Sequence, residues 1–257
     1  MEAWEVALNT FLDEWRDRDE VAGALVCGSF VTGNPTSHSD IDVVIVLRDG
    51  NEWRERGNRI VNGFLIEYFA NPPAQIRQYF KGDYAGNRRV EAVLFTTGRV
   101  LFDHDGTVER LKSEAEEWMA REFEPPSDAW AESNKYTLWD NLDNLQDAFE
   151  HGSPDFPFVY HNTLTCIYST YARHLRHPAV SFAKLHKCLT EPGEAQRRYR
   201  MDPFPDEEFL CLFAKSVTET EPSRMIEYAE TLARHVLDKM GGFDIDGWAF
   251  RSPAKTE

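Results

Sequence analysis

The stretch that most constrains this chain runs from Ala22 to Val46. An apolar run, Ala22 to Cys27, delivers the backbone to Gly28-Ser29. A second glycine follows at Gly33, and Ser39-Asp40-Ile41-Asp42 then opens another apolar run, Val43 to Val46. Short apolar runs bounded by turn residues read as buried strands. Glycine at 28 lets backbone N–H groups approach an anion, and Ser29 to Val31 can form the first turn of a short helix, whose N-terminus attracts negative charge. Side chains two apart on a strand share a face, so Asp40 and Asp42 point the same way. Two hard oxygen donors on one face suit magnesium.

A third acid follows. Arg59-Ile60-Val61 and Phe64-Leu65-Ile66-Glu67-Tyr68-Phe69 flank Asn62-Gly63, a two-residue hairpin signal. Glu67 is the sole acid in the second run, where an isolated carboxylate is costly to bury unpaired. A metal shared with Asp40 and Asp42 would compensate it. Two other Asp-x-Asp stretches, Asp103-His104-Asp105-Gly106 and Asp244-Ile245-Asp246-Gly247, follow no Gly-Ser turn and read as plain turns.

The order Gly-Ser, a glycine five residues on, Ser-Asp-x-Asp and an apolar strand resembles the DNA polymerase beta-like nucleotidyltransferase superfamily. Within it the small-molecule, aminoglycoside-type adenylyltransferases look closest, and the resemblance covers roughly the first 115 residues. It implies that Gly28 and Ser29 hold the nucleotide's phosphates, that Gly33 permits the turn, and that Ser39 belongs to the nucleotide site. Asp40, Asp42 and Glu67 are then the catalytic carboxylates and ligands of two magnesium ions. Many members carry Asp where this chain has Glu67. The implied reaction moves a nucleoside monophosphate, AMP from ATP in the first instance, to a hydroxyl of a small acceptor such as an aminoglycoside-like antibiotic. Pyrophosphate leaves, and antibiotic resistance is one role such chemistry serves. Two alternatives stand beside it: an antitoxin-type enzyme that transfers AMP to a protein hydroxyl, and a nucleotide-binding module without turnover.

Charge narrows the partners. Lysine and arginine total 28 against 44 acids, a formal charge of −16. A protein gripping many phosphates needs a basic face, so nucleic acid is not expected as a partner. A cationic or neutral acceptor is favoured, although solubility explains net charge equally well. Cys27, Cys166, Cys188 and Cys211 lie far apart without metal-ligand spacing and read as buried free thiols of a reducing compartment. The start, Met1-Glu2-Ala3-Trp4-Glu5, lacks a signal-peptide pattern and no apolar run is long enough for a bilayer, so a cytoplasmic location without membrane association is expected. The sequence leaves the oligomeric state open.

Along the chain, Trp4, Ala7, Leu8, Phe11 and Trp15 recur at helical spacing, a helix is expected after Pro72-Pro73, residues 88–95 fit helix or strand, and 98–103 read as a strand. Consecutive prolines at 125 and 126 mark a boundary. The fold expected is α+β: a mixed-sheet catalytic domain over 1–122, then an all-α, four-helix-bundle-like domain over 123–257 forming the acceptor side of a cleft. Four apolar stripes support the bundle: Leu138–Phe149, Tyr160–Leu175, Phe209–Val217 and Met225–Met240. Asp140, Asp143 and Asp147 share one side of the first stripe and read as a solvated face. Of Lys135, Lys184 and Lys187, each ordinary as a surface lysine, Lys184 is the candidate to reach the triphosphate. The tail after Trp248 reads as loosely ordered.

Overall fold

The computed structural model describes residues 2–33 and 35–251. Asn34 and positions 252–257 of the expected loose tail lie outside the described residues. The chain forms two compact units, one of Met1–Arg121 with Gly193–Met201, the other of Glu122–Pro192 with Asp202–Glu257.

In the first unit, helix α1 (Ala3–Leu12) precedes strand β1 (Val21–Cys27), the four-residue helix α2 (Ser29–Thr32) and strand β2 (Ile41–Leu47). Strands β3 (Glu55–Val61) and β4 (Phe64–Asn71) follow, then helices α3 (Pro73–Ala85) and α4 (Val90–Thr97), strand β5 (Arg99–Asp103) and helix α5 (Thr107–Ala120). The sheet is five-stranded in the order β3-β4-β2-β1-β5, with β2 and β4 parallel and the other pairs antiparallel. This is the mixed sheet of an α+β fold. The ambiguous stretch 88–95 is therefore largely helix: Val90–Thr97 places Ala92, Val93 and Phe95 in the core.

Alternation along the strands separates two cores. Ile41, Val43, Ile45 and Leu47 of β2, with Ile66, Tyr68 and Ala70 of β4, pack against Leu8, Phe11, Leu12 and Trp15. Val44 and Val46 turn the other way and meet Ile76, Phe80, Ala92, Phe95, Val108 and Leu111 of α3, α4 and α5. A strand buried on both faces reads as a continuous apolar run, which is why Val21–Cys27 is buried throughout. Asn62 (φ 50°) and Gly63 (φ 84°) make the hairpin turn between β3 and β4, both in the left-handed region that a two-residue loop of this type needs. The two decoy Asp-x-Asp stretches are turns. Asp105 Oδ1 accepts from the Thr107 N–H at 3.0 Å at the start of α5, and Asp244 Oδ1 from the Asp246 N–H at 2.9 Å.

The second unit is helical: α6 (Asp128–Glu150), α7 (Phe156–His174), α8 (Phe182–Thr190), α10 (Glu207–Thr218) and α11 (Pro222–Lys239). The helix between α8 and α10, α9 (Pro192–Tyr199), lies almost wholly in the stretch that packs with the first unit, where Arg200 Nη1 bonds Glu116 Oε1 at 2.6 Å. The four expected stripes form α6, α7, α10 and α11, and their apolar faces share one core around Leu138, Tyr160, Ile167, Phe209 and Leu232. Two readings are corrected. Lys135 is buried rather than a surface lysine, its Nζ bonded to Glu132 Oε1 at 2.8 Å, and Cys211 is exposed rather than buried.

One polar cluster fastens this core. Asp206 caps α10 by accepting from the Phe209 N–H at 2.9 Å. It also accepts from the Tyr171 hydroxyl at 2.5 Å and meets His235 Nε2 at 2.8 Å. Burial alone would raise the Asp206 carboxyl, but these bonds outweigh it and hold it at about 2. Asp206→Ala removes the cap and orphans the Tyr171 hydroxyl, and should cost roughly 2–4 kcal/mol by urea denaturation near neutral pH. Because the folded-state pKa lies below the ordinary 3.8, this stabilisation is present above that pH, and the gap between variant and parent should close as pH falls toward about 2.

Candidate active site

Gly28 sits where β1 hands over to α2, with φ 74° and ψ −158°. Its neighbour Cys27 is the register partner of Asp42 on β2. A Cβ at residue 28 would collide with the Asp42 carboxylate, so glycine is required twice over, by backbone conformation and by space. The first turn of α2 closes on this residue: the N–H groups of Val31 and Thr32 donate to the Gly28 carbonyl at 3.2 and 3.0 Å, and the Thr32 hydroxyl at 3.1 Å. Ser29 is buried beside it. Gly33 ends the turn at φ 91°, its N–H donating to the Ser29 carbonyl at 3.0 Å.

The loop leading to β2 is closed by Ser39, whose hydroxyl accepts from the Thr36 N–H at 2.9 Å while its own N–H donates to the Thr36 carbonyl at 3.0 Å. Asp40 and Asp42 follow. Parallel pairing sets Asp42 opposite Glu67. One carboxylate oxygen from each of Asp40, Asp42 and Glu67 lies within 4.8 Å of the others, all three residues half-buried. Like charges this close repel on the order of 3 kcal/mol per pair at an effective dielectric near 20, so the cluster calls for a cation. Three hard oxygen donors converging from two strands are a set that fits a divalent metal such as magnesium.

Arg56 of β3 supplies part of the counter-charge. Its Nη2 and Nε donate to Glu67 Oε1 at 2.6 and 3.2 Å, and its guanidinium stands 4.9 Å over the Phe69 ring. Sequence reasoning missed this residue. The signal was nevertheless available, since counting back from Asn62-Gly63 puts Arg56 opposite Phe69, two residues beyond Glu67 on the same face. Lys184 is exposed on α8 in the helical unit.

Beyond Asp42 and Glu67, the same face of the sheet continues through Val44, Phe69 and Asn71 into a cavity of about 750 Å³ walled by α3 and α4. Glu91 of α4 lines it. Burial, then the charge of Asp83, pushes the Glu91 carboxyl up from 4.5 to about 7. The Cys27 thiol is likewise pushed up by burial and by the charges of Asp42 and Glu91. Because the folded-state pKa of Glu91 exceeds its ordinary value, its contribution to stability is full below 4.5 and is lost as pH rises through about 7. Glu91→Gln keeps the shape without the ionisation. Its melting temperature should match the parent's at about pH 4 and exceed it at about pH 8 in calorimetric scans; a gap independent of pH would refute the shifted titration.

Residues 8–95 match the sequence model of the nucleotidyltransferase domain family. No curated protein matches the chain. Among solved structures, the chain is similar to a nucleotidyltransferase-like protein from Exiguobacterium sibiricum 255-15, at 13% identity and a TM-score of 0.47, over 92% of this chain and 75% of that one. The Gly-Ser turn and the convergent carboxylates lie inside the matched span, so the match of residues 8–95 to the nucleotidyltransferase domain family supports a transferase and is consistent with the DNA polymerase beta-like superfamily.

Proposed function

We propose that the protein transfers a nucleoside monophosphate, AMP from ATP, to a hydroxyl of a small acceptor such as an aminoglycoside-like compound, in the cytoplasm and without a nucleic-acid partner. The observation that carries this reading is the convergence of Asp40, Asp42 and Glu67 beside a Gly-Ser turn packed on Asp42. In the proposal the first unit, read as 1–122, does the chemistry.

Gly28 and Ser29, with Gly33 closing the turn and Ser39 closing the next loop, orient the triphosphate so that pyrophosphate departs over α2. Asp40, Asp42 and Glu67 would hold two magnesium ions. Bound there, magnesium neutralises phosphate charge and acidifies the acceptor hydroxyl. The residues contribute alignment and fixed charge, which dominate phosphoryl-type transfers because the protein has little covalent work to do. Arg56 offsets part of the negative charge at Glu67, and Lys184 is assigned to the triphosphate.

The test is incubation of the full chain with ATP, GTP or CTP, magnesium and a panel of hydroxylated acceptors, with mass detection of the adduct and measurement of pyrophosphate. A nucleoside monophosphate adduct on a small acceptor is expected. Adducts on protein alone would redirect the reading to a protein-modifying enzyme, and binding without pyrophosphate release to a nucleotide-binding module. Asp42→Asn should keep its fold and lose transfer by roughly a thousandfold or more, because charge is removed where both ions are held. Near-normal turnover by the folded variant would overturn the assignment.

A further inference from the structure

We propose that the cavity on the Asp42–Glu67 face of the sheet, bounded by Val44, Phe69, Asn71, Tyr79, Gly82 and Glu91, is the acceptor pocket, and that its occupant is a neutral, hydroxyl-bearing ring compound. The proposal rests on the nucleotidyl-transfer reading, goes beyond it in naming the pocket, and replaces its aminoglycoside-like acceptor with a neutral one.

Direction comes from the sheet order. Gly28-Ser29 follows β1, Asp42 lies on β2 and Glu67 on β4, and the strands are adjacent in the order β4-β2-β1. In-line displacement puts the attacking oxygen opposite the departing group. With pyrophosphate leaving on the β1 side, the acceptor oxygen must arrive over β4. The cavity opens on that side, its floor made by Phe69 and Asn71, the next two residues on the Glu67 face, and by Val44, the next on the Asp42 face.

Asn71 brings a polar group to the floor: it is 4% exposed and lines the cavity. Size agrees: about 750 Å³ falls within the roughly 300–1,000 Å³ of small-molecule sites. Charge decides the class. Arg54, Arg56 and Arg88 balance Glu55, Asp83 and Glu91 around the rim and walls, and the Arg54 guanidinium is bonded to the Tyr79 hydroxyl at 2.7 Å and Arg56 to Glu67. Such a lining has no excess of carboxylates to hold a polycation and no excess of guanidinium to hold a polyanion. Rings at Phe69 and Tyr79, with the Asn71 amide and the Glu91 carboxyl, suit a ring compound bearing hydroxyls. Glu91 offers such a ligand a further polar group from the wall.

The experiment is saturation-transfer NMR on the metal-free full chain with p-nitrophenyl glucoside as probe, kanamycin as the polycationic comparison and ATP as the nucleotide control. Two variants are used. Asn71→Leu removes the amide from the cavity floor. Gly82→Leu fills the cavity from α3, where an added Cβ meets nothing within 4 Å, so it retains the fold should Asn71→Leu lose it. The glucoside should bind the parent, bind each folded variant about tenfold more weakly or worse, and outcompete kanamycin, while ATP binding stays within about twofold. Failure of the glucoside to bind, affinity untouched by Gly82→Leu, preference for kanamycin, or loss of ATP binding in these variants would each overturn the proposal, the last by giving the cavity to the nucleoside. Failure of the transfer reading itself shows separately, as absence of any adduct or pyrophosphate from the parent chain with all three nucleotides.

Discussion

The register between β3 and β4 governs the site. Asn62-Gly63 fixes that hairpin at two residues, and the pairing that follows sets Asn58 opposite Glu67 and Arg56 opposite Phe69. Strand side chains alternate with a period of two, so a slip of one residue would move every side chain to the other face. Glu67 would then enter the apolar core beneath Trp15 and Phe11, where Tyr68 now sits, and Asp40 and Asp42 would lose their third partner. The hydrophobic pattern of β4 forbids this. Ile66, Tyr68 and Ala70 are buried against α1, and that burial stabilises by a few kcal/mol in total at about 25 cal/mol per Å². The geometry of the carboxylate cluster is thereby enforced by core packing on the opposite side of the sheet.

A second close fit lies at right angles to the first. Gly28 gives up a side chain so that Asp42 can stand against the α2 turn. Together the two constraints bring the Gly28-Ser29 turn and the three carboxylates onto one end of three adjacent strands. Neither depends on long side chains finding each other, which costs rotamer entropy; both depend on backbone. Arg56 is the exception, a long side chain laid over Phe69 to reach Glu67.

What the sequence made legible was what local rules encode. Gly28-Ser29, Asp40-x-Asp42, the Asn62-Gly63 hairpin and the parity of Glu67 each follow from spacing of a few residues, and so do the four apolar stripes of the helical unit. What escaped needed tertiary pairing. Residues 88–95 gave no period because α4 is apolar on more than one side, with Ala92, Val93 and Phe95 all buried. The burial of Lys135 depends on its place within the helical core, and the shifted carboxyl of Glu91 depends on its burial and then on Asp83, which precedes it on another helix. The stretch Gly193–Met201 could not be assigned to the first unit without knowing that Arg200 meets Glu116.

The arginine beside Glu67 bears on how three carboxylates coexist before a cation arrives. Both guanidinium bonds fall on Oε1, so Oε2 keeps its lone pairs for another partner. A bidentate grip using both oxygens would have competed with a metal directly; a grip on one oxygen need not be broken for the other to coordinate. Exposure of the Arg56 side chain, 69% against 18% for Glu67, keeps this pair weak by comparison with a fully desolvated one, since solvent screens it. The pair therefore offsets repulsion within the cluster and orients Glu67 while leaving the carboxylate available. A glutamate, one methylene longer than the aspartate more usual at such a position, has the reach to serve two partners from one strand site.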